Sequence, residues 1–219
     1  MSLFTERLAA SLQEAERKIQ TGKTAGMKRI CLIRHGESVS NAGAPTDDHE
    51  NIPLSPLGEK QAEERSRQFT LPAELILVSP YLRARQTMLP TARRFPQIPV
   101  EVWESVREFT YLSPASCRGT TKEERRPRVQ AYWAASDPDY HDGEGAESYR
   151  EFVGRTMATL QRLRERPEAE IWIFAHAQSI NNLLLCHLLP ELPIQEKMHE
   201  FTEIPLPANA SLSKFYLWE

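Results

Sequence analysis

Ile30-Cys31-Leu32-Ile33 runs straight into Arg34-His35-Gly36-Glu37-Ser38. Four apolar residues bounded by charge read as a short strand buried on both faces, as in the middle of a parallel sheet. The residues that follow leave the carboxyl end of a core strand, and in open α/β sheets ligands bind there. An arginine beside a histidine at that edge points to an anion site that holds a nucleophile or a proton carrier.

Two more runs have the same form. Leu75-Ile76-Leu77-Val78 leads into Ser79-Pro80, and Ile171-Trp172-Ile173-Phe174 leads into Ala175-His176-Ala177. Helices are expected between the strands. Ser55-Pro56-Leu57 opens one, with serine as N-cap and proline in the first turn, running to about Phe69. Ser79-Pro80 reads as a second start of that kind, with its helix ending or kinking near Pro90. Val100-Glu101-Val102-Trp103 alternates as a strand does. Tyr149, Phe152, Val153, Thr156, Leu160 and Leu163 mark an amphipathic helix, residues 178–189 another, and 212–218 a last strand. This alternation gives an α/β fold, a three-layer α/β/α sandwich with a mainly parallel central sheet.

At the N-terminus, Leu8, Leu12, Ala15 and Ile19 fall at helical spacing, so residues 1–27 form a helical extension ahead of one domain over 28–219. Gly22-Lys23-Thr24 is not a phosphate loop, because the glycine that motif needs five residues earlier is Arg17. Residues 110–145 lack periodicity and hold proline, glycine and charge. They read as a lid or insertion with a short helix around 122–135.

The net charge of −3 argues against general nucleic-acid binding. Cys31, Cys117 and Cys186 are odd in number and irregular in spacing, which fits a reducing compartment rather than a disulfide framework. No apolar stretch approaches membrane-spanning length, and no signal-peptide core follows Met1. A soluble cytoplasmic protein is expected, monomer or homodimer, with no membrane or nucleic-acid partner.

If the three core strands are parallel neighbours, Arg34 and His35, Ser79 and Arg83, and His176 converge on one sheet edge. Arginine forks suit phosphate oxygens, and a neutral imidazole is a competent nucleophile near pH 7. A second histidine can donate to the phosphoryl oxygens as charge develops. Hydrolysis also needs an acid for the leaving alkoxide, and a carboxyl beside phosphate is easier to keep protonated. Glu108 follows the strand at 100–103 and is the candidate, with Glu104 as its rival.

These segments together resemble the histidine phosphatase superfamily, which includes the cofactor-dependent phosphoglycerate mutases. The matching pieces are Arg34-His35-Gly36-Glu37-Ser38 with Asn41, then Leu54-Ser55-Pro56-Leu57-Gly58. Ser79-Pro80-Tyr81-Leu82-Arg83-Ala84-Arg85-Gln86-Thr87 and Arg107-Glu108 follow. Gly145-Ala146-Glu147-Ser148, His176 and Asn209-Ala210-Ser211 complete the series. The resemblance implies a phosphoglycerate mutase-like fold and a phosphatase acting on a small phosphorylated substrate, a phosphoprotein being the alternative. It implies that His35 becomes phosphohistidine, and that Arg34, Asn41, Arg83 and His176 bind the phosphoryl group. Glu108 would be the acid, and neither a metal nor a cofactor is expected.

The chain departs from the pattern in two places. Ala175 and Ala177 flank the second histidine where glycines are usual, which would strain a turn needing positive φ. After Glu108 the run is Phe109-Thr110-Tyr111-Leu112-Ser113-Pro114, without the usual glycine and tryptophan-acid pair. Mutase-type phosphoryl transfer is disfavoured, because Asp47-Asp48-His49-Glu50-Asn51 and Arg107-Glu108-Phe109-Thr110 lack the mutase pattern. A non-catalytic phospho-ligand binding module is the other alternative.

Outside this set, Asn41 also fits a plain turn former. His49, His141 and His199 read as solvated, and His187 as satisfied in the core. Arg118, Arg125, Arg126 and Arg128 form a basic group, read either as a solvated face or as a rim for a multiply charged substrate. Asp137, Asp139, Asp142 and Glu144 are an acidic stretch that could balance it.

Overall fold

In the computed structural model, which describes residues 2–218, five strands form one sheet. They are β1 (Lys28–Arg34), β2 (Leu75–Val78), β3 (Val100–Val102), β4 (Glu170–Ala175) and β5 (Leu212–Leu217), in the order β3-β2-β4-β1-β5. All neighbours are parallel except β1 and β5. The helices are α1 (Leu3–Gln20), α2 (Pro56–Gln68), α3 (Leu82–Arg94), α4 (Pro114–Cys117), α5 (Lys122–Ala135), α6 (Tyr149–Glu165), α7 (Ala177–Leu188) and α8 (Ile194–Glu203).

Strand side chains alternate between faces, and the core divides accordingly. Ile30, Leu32, Leu75, Leu77, Ile171 and Ile173 pack with residues of α1, α6, α7 and α8. Cys31, Ile33, Ile76, Val78, Trp172 and Phe174 pack with Ala84 and Met88 of α3 and with Phe69 at the end of α2. This is the three-layer sandwich, and it explains why the three core runs are apolar at every position. The N-terminal helix docks through Phe4 and Ala15, both buried, while Ile19 is exposed.

Ser55 caps α2 by accepting from Gly58 N–H, with Pro56 in the first turn. Ser148 and Glu151 close a capping box at α6, as Thr121 and Glu124 do at α5. Two expectations need correction. The helix after β2 starts at Leu82, not at Ser79-Pro80, because the Ser79 hydroxyl is engaged with His176 instead of capping. That helix also continues through Pro90 to Arg94. Val100 and Val102 face solvent, because β3 is an edge strand whose inward residues are Glu101 and the buried Trp103. The short α4 and the whole of α8 had no counterpart in the sequence reading.

The loop after β1 touches the start of α2 backbone to backbone. A Cβ on Gly36 would lie 2.5 Å from the Gly58 carbonyl oxygen, and one on Gly58 would collide with the Glu37 carbonyl oxygen. Neither atom can move without shifting main chain. By contrast, Gly154 lies exposed within α6 and a Cβ there meets nothing within 4 Å. Gly58→Ala should cost at least about 2 kcal/mol, whereas Gly154→Ala should gain about 0.5–1 kcal/mol from helix propensity. Thermal denaturation of the two variants checks the pair. Equal melting temperatures would show that the loop yields easily.

Candidate active site

The parallel register builds the site. Arg34 is paired with Ala175 across β1 and β4, and Val78 with Phe174 across β2 and β4. Each strand therefore ends at the same level. His35 N–H donates to Ala175 C=O and Ser79 N–H to Phe174 C=O, both at 3.0 Å, which extends each ladder one residue past the strand. The side chains of Arg34, His35, Ser79 and His176 leave from this one edge, and Arg83 joins them from the first turn of α3.

Around His35 the fixing is dense. Its Nδ1 lies 2.6 Å from Gly36 C=O. A carbonyl only accepts, so Nδ1 carries the proton and Nε2 keeps its lone pair. Arg83 Nε donates to that Nε2 at 3.3 Å, and Arg83 Nη1 donates to His49 C=O at 2.7 Å. Thr87, one turn further along α3, accepts from Gly36 N–H at 3.0 Å. The His35 carbonyl accepts from Ala210 N–H and from Asn209 Nδ2. His176 sits with its ring centroid 5.2 Å from that of His35, and its Nε2 is 2.7 Å from Ser79 Oγ.

Burial and the neighbouring guanidinium of Arg83 hold both histidines well below the usual imidazole range. Burial also lowers Arg83, to about 10, so it remains a cation at neutral pH. Arg34 is likewise lowered by burial. The Arg34 guanidinium is anchored by Pro207 C=O, but its buried Nε has no partner among the described residues, nor has Nδ1 of His176.

Glu108 approaches from the segment after β3. Its carboxylate accepts from the N–H groups of Phe109 (3.0 Å), Ser179 (3.1 Å) and Gln178 (3.3 Å), which ties it to the start of α7. A cavity of about 480 Å³ opens in front of Arg83 and Glu108. Glu104 is exposed on a 3₁₀ turn and does not line that cavity. Asn41 also stays outside it. Its Oδ1 accepts from Ser38 N–H and from Asn209 Nδ2, a turn-forming role. The alanines beside His176 cause no strain: His176 has φ −129° and ψ 165°, and neither alanine has a positive φ.

Several supporting residues escaped the sequence reading. Arg155 of α6 is largely buried, pairs with both oxygens of Glu147 at 2.6 and 2.9 Å, and donates to the carbonyls of Ser105, Arg107 and Glu108. It therefore clamps the backbone that carries Glu108. Gln61 accepts from Glu37 N–H at 2.8 Å. His49, read as solvated, is half-buried and lines the cavity, edge-on to Tyr81. His187 is half-buried against Phe215, and its buried Nδ1 has no partner among the described residues, so it is not satisfied in the core. Of the basic group, Arg125 and Arg126 reach the cavity, while Arg128 pairs with Asp142 at 2.6 Å. Among the described residues no group of three or more His, Cys, Asp or Glu side chains could hold a metal ion. No helix is long and apolar enough to cross a membrane.

Comparison with known proteins adds three likenesses. The chain is 28% identical over 162 residues to an uncharacterized phosphatase PhoE of Bacillus subtilis, covering 72% of this chain and 76% of that protein. It is 27% identical over 182 residues to sedoheptulose 1,7-bisphosphatase of Saccharomyces cerevisiae, covering 69% and 64%. In fold it is similar to a mycobacterial glucosyl-3-phosphoglycerate phosphatase, with a TM-score of 0.67 at 22% identity, over 87% of this chain and 90% of that one. The model of the histidine phosphatase superfamily, branch 1, matches residues 30–219, from the first core strand to the end of the chain, and the protein belongs to that superfamily.

Proposed function

We propose that this protein is a phosphatase that hydrolyses a small phosphate monoester through a phosphohistidine on His35, without a metal ion. One observation carries the reading. A buried histidine holds its Nδ1 proton against a carbonyl and turns the lone pair of Nε2 toward Arg83, and Arg83 lines a cavity together with the carboxyl residue Glu108. Family membership and relatives named as phosphatases support it.

In this mechanism the phosphoryl group takes the place at Nε2 that Arg83 Nε holds in the unliganded site. Arg83, Arg34 and His176 then face its oxygens, and the buried Arg34 Nε and His176 Nδ1 gain the partners they lack. Asn41 is at the edge of this set and acts through the turn it shares with Ser38 and Asn209. The Nε2 lone pair attacks phosphorus, the bond to the ester oxygen breaks, and Glu108 gives that oxygen a proton. Water then attacks phosphorus while Glu108 takes a proton from it. The nitrogen–phosphorus bond breaks, and Nε2 recovers its lone pair. The chemistry asks the protein chiefly for positioning and charge.

The wild type should turn over p-nitrophenyl phosphate near pH 6 with EDTA present. His35→Ala should lose at least about 10³-fold in kcat. A rate that needs a divalent ion, or that survives the substitution, would sink the reading. Glu108→Gln should slow alkyl phosphates by about 10²-fold while slowing p-nitrophenyl phosphate much less, since only the poor leaving group needs the proton. Equal losses on both would remove the acid role from Glu108.

The histidines also predict a pH response. His35 and His176 have folded pKa values below their unfolded value of about 6.5, and burial pushes His187 down to about 4. The unfolded chain therefore binds more protons in this range, so stability is fully present above pH 6.5 and is lost as pH falls below it. The melting temperature should drop steadily between pH 7 and pH 5, and less steeply in His187→Leu. A flat profile for the wild type would show that these histidines charge freely in the folded protein.

A further inference from the structure

Of the groups proposed to act on the phosphoryl ester, Arg83 and Glu108 line the cavity. Its volume of about 480 Å³ is in the range of sites for whole organic ligands, far more than a phosphoryl group fills. The rest has a definite chemistry. Ile52, Tyr111, Leu112, Pro114 and Val129 make an apolar wall. Behind it Phe109 stacks on Phe152 at 4.3 Å, and Tyr111 packs on Tyr132 and Trp133 at 4.9 and 5.4 Å, so the wall is backed by a solid aromatic cluster.

Another part of the rim is α5, which presents three cations, Lys122, Arg125 and Arg126, and one carboxylate, Glu123. Arg125 is already committed, donating to Thr120 C=O and Oγ1 at 2.7 and 3.0 Å. Lys122 has no hydrogen-bond or ion-pair partner among the described residues. Arg126 has only Glu123 at 3.8 Å, with both side chains exposed. Lys122, in the first turn of α5, opposes the helix dipole, and the long, exposed pair of Arg126 with Glu123 contributes little, so neither cation is there chiefly for helix stability. They are nevertheless held in place. The Thr121–Glu124 capping box fixes the start of α5, and a two-bond bridge between Thr46 and 119–120 ties the preceding loop across to the segment after β1.

We propose that this cavity is a leaving-group subsite for a phosphate monoester with an apolar body and a second anionic group at its far end, which pairs with Lys122 and Arg126. The proposal rests on the phosphatase reading above and names the substrate class of that site. The apolar body displaces water from the wall, and the distal anion sets its length and orientation.

Three primary alkyl phosphates test it. 6-(Phosphonooxy)hexanoate has both features, its methyl ester has only the body, and phosphoglycolate has only the second charge. We expect kcat/KM for the hexanoate to exceed that for each of the others by about tenfold, chiefly through KM, as expected of one or two half-exposed ion pairs. In the Lys122→Ala/Arg126→Ala double variant the hexanoate-to-ester ratio should fall to within about twofold of one. That ratio is internal to one preparation, so partial misfolding of the variant does not alter it. The advantage should also shrink with added salt. A wild-type ratio near one, or a preference that survives the double substitution, would overturn the proposal. Turnover of p-nitrophenyl phosphate separates the two levels: if it depends on His35 and the ratios are flat, the subsite alone is wrong. If no phosphate ester is hydrolysed, the phosphatase reading fails and the subsite falls with it.

Discussion

The hydrogen bond from His35 N–H to Ala175 C=O, at 3.0 Å, is the constraint on which the site depends. It continues the parallel ladder of β1 and β4 beyond the last strand residue, so the main chain is still in register where the side chains turn functional. Ser79 does the same on the other side of β4 through Phe174. The three strand ends therefore stop level, and His35, His176 and Arg83 meet without any long loop having to place them. From the outer side, Ala210 and Asn209 hold the His35 carbonyl, which is why an antiparallel edge strand matters to a site built on parallel ones. The glycine contact between the His35 loop and α2 closes the third direction.

That rigidity permits an arrangement of charge that would otherwise relax. Two guanidinium groups and two imidazoles share a small buried volume, and like charges there repel strongly because the local dielectric is low. Burial first, and the Arg83 guanidinium second, disfavour the charged imidazoles, so the histidines shed their protons while Arg83 keeps its own. On the phosphatase reading proposed above, this supplies both halves of a phosphoryl site: cations to receive a dianion and a neutral nitrogen with a free lone pair. The carbonyls of His49 and Gly36 take one donor each from Arg83 and His35, which leaves Arg34 Nε and His176 Nδ1 without partners among the described residues.

Much of this was legible in the sequence, because the core strands are short, fully apolar and each followed at once by its chemistry. Ile30–Ile33, Leu75–Val78 and Ile171–Phe174 could hardly be anything but buried strands. The misreadings have local physical reasons. Ser79-Pro80 looks like a helix start because serine commonly caps, but here a tertiary partner, His176, takes the hydroxyl. Pro90 lies late in α3, near its solvent-exposed end, where the helix runs one more turn past it. Helix α8 carried a usable signal in Ile194, Met198 and Phe201, at helical spacing after Pro193. Arg155 carried none, since a single arginine on an amphipathic helix is indistinguishable from a solvated one until its carbonyl partners are in place.

The segment between β3 and α6 serves two purposes and keeps them apart. Its first residues carry Glu108, and they are fixed by the N–H groups of α7 and by Arg155 of α6, which Glu147 at the segment's other end holds in place. Its later residues, α4 and α5, make the cavity wall and rim, and they are fixed by their own capping box and by the Thr46 bridge. The two anchors share no residue. Changes along α5 can therefore reshape what the cavity accepts while leaving the carboxylate where the α7 N–H groups hold it. Such a division lets one scaffold keep its phosphoryl chemistry while its choice of leaving group drifts, and it ties that choice to a stretch whose sequence has no periodic pattern to preserve.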